Sequence, residues 1–315
     1  MPRIIRAKSM GFCKGVERAV DMAFTLSRDF CIRGSECPHR SAIYTIGPLI
    51  HNAAVLADLR AGGINVLDEA DLEEMGDDAI NGATVIIRAH GVRPTVYEKL
   101  RHLGAEIADA TCPKVRQNQL KAQNLVQNNG DLAVLFIVGE EKHAEVQGLL
   151  GFAKPKAHGT CRVIVISALQ EATLAAKSLF YENPHRKTAI IAQTTISNLI
   201  FDEICIEIKK FFPALEVFNT ICRATKDRQD ALAQLCNDAD DPVDAVIIAG
   251  DKASSNTRRL QNIAQDCGKP AFIASSPEDI PCSIFAYKTI GLSAGASTPR
   301  TVIDAIERGL TKFTG

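Results

Sequence analysis

The 315-residue chain has no tryptophan, four tyrosines and no two cysteines spaced C-x-x-C. The missing pair spacing removes the signatures of zinc ribbons, thioredoxin-like redox pairs and bacterial ferredoxin runs. Neither sign of charge dominates: 36 Lys and Arg stand against 37 Asp and Glu, a formal net charge of −1. That balance argues against nucleic acid or an anionic membrane as a partner held by bulk electrostatics. Long apolar runs are missing too. The longest obvious one, Leu132–Val138, has seven residues, against the roughly 20 of a membrane span. Met1-Pro2-Arg3 runs straight into Ile4-Ile5 with neither a signal-peptide core nor an Arg- and Ser-rich transit pattern, so the expected location is the cytoplasm. No Walker A sequence is present to bind a nucleoside triphosphate.

What the chain does have is ten cysteines, at 13, 31, 37, 112, 161, 205, 222, 236, 267 and 282. A disulfide framework is not expected at this length without a secretion signal, and free cysteines commonly serve as small buried apolar residues. Three of them stand apart. Asp109-Ala-Thr-Cys112-Pro-Lys-Val-Arg-Gln and Asn219-Thr-Ile-Cys222-Arg-Ala-Thr-Lys-Asp-Arg-Gln share an extended stretch, a cysteine and a helix carrying Arg-Gln. Ser9-Met-Gly-Phe-Cys13-Lys-Gly-Val-Glu-Arg follows the same strand–cysteine–helix plan. The three cysteines lie 99 and 110 residues apart, about one small α/β unit each.

Short β-branched runs alternate with stretches of helical spacing along the whole chain. Strands are expected at Ile43–Ile46, Val85–Arg88, Ala133–Val138, Arg162–Ile166, Ala189–Ala192, Ala245–Ala249, Ala271–Ala274 and Thr289–Leu292. Helices are expected at Pro113–Gln127, Asn198–Phe211 and Arg228–Cys236. The alternation reads as α/β with mostly parallel sheets. The expected units are 1–108 with Cys13, 109–214 with Cys112 and 215–297 with Cys222, followed by a C-terminal helix and tail, 298–315, packing back. Arranged in a ring, three such units would bring three cysteine-bearing helix N-termini to one centre.

Ligands of parallel α/β sheets sit at the carboxyl ends of strands. The polar residues expected there are His51, His90, His143 with Glu145, Thr194, the run Ser254-Ser255-Asn256, and Ser297. Each has an ordinary alternative. His143 and Glu145 also read as a loop histidine beside a first-turn glutamate that favours the helix dipole, and the serine runs as N-caps, with Pro299 where helices start. The two serine-bearing helix starts with His51 and His90 would suit a diphosphate, because helix N-termini with free amides and hydroxyls bind phosphate. Three thiolates, one per unit, fall short of the four that a ferredoxin cluster or a tetrahedral site takes from protein. They suit a [4Fe–4S] cluster with one iron lacking a protein ligand, a Lewis acid and an electron donor in one place. The plain alternative is three buried cysteines at helix starts.

Several motifs then occur together and in order: Gly11-Phe12-Cys13-x-Gly15-Val16, Ile50-His51-Asn52, Ala89-His90-Gly91, Asp109-Ala-Thr-Cys112-Pro113, His143-x-Glu145, Gln193-Thr194-Thr195, Ile221-Cys222-x-Ala-Thr, Ser254-Ser255-Asn256 and Ala294-Gly-Ala-Ser297. In this the chain resembles the 4-hydroxy-3-methylbut-2-enyl diphosphate reductase family from about residue 9 to residue 300. The resemblance implies a trefoil of three α/β units around a [4Fe–4S] cluster on Cys13, Cys112 and Cys222. It implies substrate contacts from His51, His90, His143, Thr194, Ser254, Ser255, Asn256 and Ser297, the last four largely on the diphosphate, with the substrate hydroxyl at the open iron and Glu145 as proton source. The implied reaction is reductive removal of that hydroxyl as water, giving isopentenyl and dimethylallyl diphosphate, the last step of the non-mevalonate isoprenoid pathway. No flavin or nicotinamide motif appears, so a reduced ferredoxin or flavodoxin is the expected electron donor. Ala144 stands where the family usually has proline, and Cys31–His39 reads as a loop whose Cys31, Cys37 and His39 are not expected to bind metal. A quinolinate-synthase-like or other iron–sulfur hydro-lyase also fits three cysteines and an open iron, and a zinc- or diphosphate-binding module is the non-catalytic alternative.

Overall fold

The computed structural model describes residues 2–33, 42–50, 52–76, 79–128, 131–155 and 159–312. Strands and helices alternate from the start: β1 (Arg3–Arg6), α1 (Lys14–Arg33), β2 (Ile43–Ile46), α2 (Ala53–Ala61), β3 (Ile64–Leu67), α3 (Glu69–Glu74), β4 (Thr84–Ile87), α4 (Pro94–His102) and β5 (Glu106–Asp109). There follow α5 (Pro113–Asn128), β6 (Leu132–Val138), α6 (Ala144–Phe152), β7 (Arg162–Ile166), α7 (Leu169–Glu182), β8 (Lys187–Ala192), α8 (Asn198–Lys209) and β9 (Glu216–Val217). The last elements are α9 (Arg223–Asn237), β10 (Ala245–Ala249), α10 (Ser255–Asp266), β11 (Ala271–Ala274), β12 (Thr289–Ala294) and α11 (Arg300–Lys312).

The strands form three four-stranded sheets, ordered β3-β2-β4-β5, β7-β6-β8-β9 and β1-β12-β10-β11, and every pairing is parallel. The expected α/β class with parallel sheets is what the chain forms. Parallel strands carry helices on both faces and so bury both sets of alternating side chains. Along β6, Val134, Phe136 and Val138 pack with residues of α7 and α8, while Leu135 and Ile137 pack with α5 and α6. Along β10, Val246 and Ile248 face α9 and α10, and Ala245, Ile247 and Ala249 face α11. Phe136 is fully buried, and truncating such a phenylalanine costs about 3–5 kcal/mol.

By internal contacts the chain divides into two compact units, one of Met1–Val20, Ile50–Ala61 and Arg223–Gly315, the other of Asp21–Leu49 and Gly62–Cys222. The first contains the sheet of β1, β12, β10 and β11, and the second contains the other two sheets. The strand leading to Cys13 therefore pairs with β12, near the far end of the sequence, and not with the strands that follow it. The helix after Cys13 runs on through Cys31 to Arg33, where the sequence suggested a loop. Cys37 and His39 lie outside the described residues.

Candidate active site

Each sheet uses one of its edge strands in the same way. Beyond the edge strands β5, β9 and β1 the chain passes through a short loop to a cysteine, and a helix begins at the next residue: Cys112 before α5, Cys222 before α9 and Cys13 before α1. The loops ahead of Cys112 and Cys222 share a turn three residues before the cysteine. Asp109 Oδ1 accepts from Thr111 N at 2.9 Å, and Asn219 Oδ1 accepts from Ile221 N at 3.1 Å. These are Asx turns, in which a short polar side chain takes the place of a backbone acceptor. Asp109 also accepts from Tyr97 Oη at 3.0 Å and Arg116 Nη2 at 2.5 Å. Burial pushes this carboxyl up, but the bonds from Thr111, Arg116 and Tyr97 outweigh it and hold it below the usual range.

The neighbouring strand of each sheet then meets the cysteine. Cys112 N donates to Ala89 O at 3.0 Å beyond β4, Cys222 N to Thr194 O at 3.0 Å beyond β8, and Cys13 N to Ala296 O at 3.3 Å beyond β12. Ala89 precedes His90, Ala296 precedes Ser297, and Thr194 is itself an expected substrate residue. One backbone bond per sheet thus ties each singled-out cysteine to an expected substrate group.

In the larger unit, Glu145 lies in the first turn of α6 and is 1% exposed. Its carboxyl accepts from Thr194 N at 2.8 Å and Thr194 Oγ1 at 2.6 Å. Burial pushes the Glu145 carboxyl up to about 7, against the opposing pull of those two bonds. His143 caps the helix, Nδ1 accepting from Glu145 N at 3.2 Å, which leaves the ring proton on Nε2. The His90 ring meets His143 edge-on, centroids 5.4 Å apart. Gln193, fully buried, accepts from Glu140 N at 3.1 Å and donates to Thr195 Oγ1 at 2.6 Å, fixing the loops on either side of Glu145.

In the smaller unit, Ser254 caps α10, its Oγ accepting from Thr257 N at 3.4 Å. Ser254, Ser255, Asn256 and Ser297 are all buried. Neither amide atom of Asn256 has a hydrogen-bond partner among the described residues. A buried, unsatisfied amide at a helix N-terminus calls for a ligand. His51 lies outside the described residues.

The thiols divide by environment. Cys13, Cys112 and Cys222 are partly exposed, each immediately before the first residue of a helix. Cys205 and Cys236 are buried, and burial pushes both thiols up to about 12. As a donor set the first three fit a thiolate-bound metal cluster. Among the described residues, no three His, Cys, Asp or Glu side chains form a metal site by themselves; Cys13 belongs to one compact unit, Cys112 and Cys222 to the other.

The sequence model described as LytB protein matches residues 4–311. The chain belongs to the LytB family. The 4-hydroxy-3-methylbut-2-enyl diphosphate reductase of Treponema denticola is 37% identical over 97% of this chain and 98% of its own length. The reductase of the same name from Solidesulfovibrio magneticus is 36% identical over 99% and 100%. The fold is shared with the Plasmodium falciparum E-1-hydroxy-2-methyl-but-2-enyl-4-diphosphate reductase, at 24% identity and TM-score 0.81 over 99% of this chain and 89% of that one. A second solved structure, of an (E)-4-hydroxy-3-methyl-but-2-enyl diphosphate reductase, terminal enzyme of the non-mevalonate pathway, matches at 33% identity and TM-score 0.64, over 99% and 100%. This LytB-family chain is therefore an enzyme, an oxidoreductase. No helix among its described residues is long and apolar enough to cross a membrane.

Proposed function

We propose that this LytB-family chain converts 4-hydroxy-3-methylbut-2-enyl diphosphate to isopentenyl and dimethylallyl diphosphate, two electrons and two protons removing the hydroxyl as water. The observation that carries the reading is a buried carboxyl with a raised pKa, Glu145, bonded to the residue whose carbonyl holds the Cys222 amide. Cys13, Cys112 and Cys222 would hold a [4Fe–4S] cluster, which when bound supplies the electrons and a Lewis-acidic iron.

The remaining work falls to the chain itself. Glu145 keeps its proton near neutral pH and delivers it as the hydroxyl leaves. Thr194 fixes the carboxyl through two bonds, so that its position does not depend on solvent. His143, its Nδ1 committed to the backbone, presents Nε2–H as a donor, its ring edge-on to that of His90, and His51 is a third proposed substrate contact. Ser254, Ser255, Asn256 and Ser297 take the diphosphate with neutral donors and a helix N-terminus. These groups cost less to desolvate than a lysine or arginine clamp. Electrons come from a reduced ferredoxin or flavodoxin, and the proposed location is the cytoplasm.

Anaerobic turnover with a chemical reductant tests the reading. Reductant-dependent formation of both five-carbon diphosphates is expected. Water addition or loss without reductant would instead favour an iron–sulfur hydro-lyase.

A further inference from the structure

The two Arg-Gln helices of the sequence repeat share another feature. Six positions after its cysteine, each carries a buried polar side chain that donates to a carbonyl two residues ahead of another cysteine. On α5, Asn118, 1% exposed, donates from Nδ2 to Thr220 O at 3.0 Å, two residues before Cys222. On α9, Arg228, 5% exposed, donates to Gly11 O from Nε at 2.9 Å and Nη2 at 2.7 Å, two residues before Cys13. Its Nη2 also reaches Phe12 O at 2.9 Å. On α1 the equivalent position is Ala19, fully buried and without a donor.

We propose that Asn118 and Arg228 are positioning residues that set the loops presenting Cys222 and Cys13. Irregular loops have few backbone partners of their own, and a buried carbonyl left unpaired is costly. Arg228 spans two successive carbonyls with one planar group, fixing the direction of the loop as well as its place. Gly11, at φ +77° and with no room for a Cβ beside Ile303, makes the turn that Arg228 holds. The purpose of the device, preorganised thiol ligands, rests on the cluster reading. Its geometry does not.

The test is residue-by-residue alkylation of the metal-free full-length protein by iodoacetamide, read by mass spectrometry. In Arg228→Met, Cys13 should label about fivefold faster or more, the worth of roughly one lost hydrogen bond, with Cys112 and Cys222 at wild-type rates. Arg228→Lys should be intermediate. In Asn118→Ala, Cys222 alone should speed up. After anaerobic reconstitution with iron and sulfide, a chelator should strip iron faster from the same variants. Unchanged labelling in both Arg228→Lys and Asn118→Ala would overturn the proposal, and so would a uniform rise at all three cysteines, which marks general loosening. If Arg228→Met does not fold, Arg228→Lys and Asn118→Ala decide. A wild type that takes up no iron would refute the cluster reading, and the labelling pattern would still judge the positioning.

Discussion

Thr194 holds both oxygens of Glu145, its backbone amide on one at 2.8 Å and its hydroxyl on the other at 2.6 Å. The same residue gives its carbonyl to the Cys222 amide at 3.0 Å. A single residue thus fixes the proposed proton donor and one proposed cluster ligand.

Glu145→Gln keeps the shape and removes the proton. Turnover should fall by about 10²–10⁴-fold, the usual worth of a general acid, with substrate binding retained. In the wild type, the proton-dependent step should weaken as pH rises through about 7. Activity of Glu145→Gln near the wild-type level, or a flat wild-type profile across that range, would remove Glu145 from the proton path.

The same carboxyl sets a stability signature. Its folded pKa, about 7, lies above the ordinary 4.5, so its contribution is complete below the ordinary value and lost as pH rises through about 7. Glu145→Gln escapes that loss. Its melting temperature should gain on the wild type between pH 5 and pH 8, by the equivalent of about 3 kcal/mol at most. A difference that stays constant with pH would contradict the burial argument.

Asn256→Leu removes a buried amide that lacks a partner among the described residues. Unsatisfied polar groups cost about 1–3 kcal/mol, so the free protein should melt no lower than the wild type. Affinity for inorganic diphosphate, measured by calorimetric titration, should fall about tenfold or more. Lower stability with unchanged affinity would point to a purely structural asparagine.

Gly295 leaves no space: an added Cβ would lie 2.2 Å from Thr257 Oγ1 in the first turn of α10. Gly295→Ala should cost about 1–3 kcal/mol of stability and weaken diphosphate binding by shifting that helix start. A variant as stable and as tight-binding as the wild type would show that the α10 N-terminus tolerates movement.

The interior of each sheet was legible in the sequence, because β2, β4, β6, β8, β10 and β12 are apolar on both faces. β1, β3, β5 and β9 were not singled out. All four are edge strands, where one side lacks a neighbour and charged residues such as Glu106 or Arg3 are tolerated. β9 has only two residues, defined by pairing with Ala189 and Ile190. In the site, His143-x-Glu145 and the serine runs were visible as motifs. The burial of Glu145 was not, since it depends on Thr194, a residue distant in sequence. Arg-Gln stood out as part of a repeat, but what Arg228 touches is set by tertiary packing around Gly11.

The proposed cluster takes one cysteine from beside each sheet. Its most direct test is anaerobic iron and sulfide analysis, with an electron paramagnetic resonance spectrum after reduction, on the wild type and on Cys13→Ser, Cys112→Ser, Cys222→Ser and Cys282→Ser. About four iron and four sulfide per chain are expected in the wild type and in Cys282→Ser, whose thiol is exposed and outside the proposed set, with loss of the reduced signal in the other three. One zinc and no iron per chain, or a cluster that survives all three substitutions, would contradict the account.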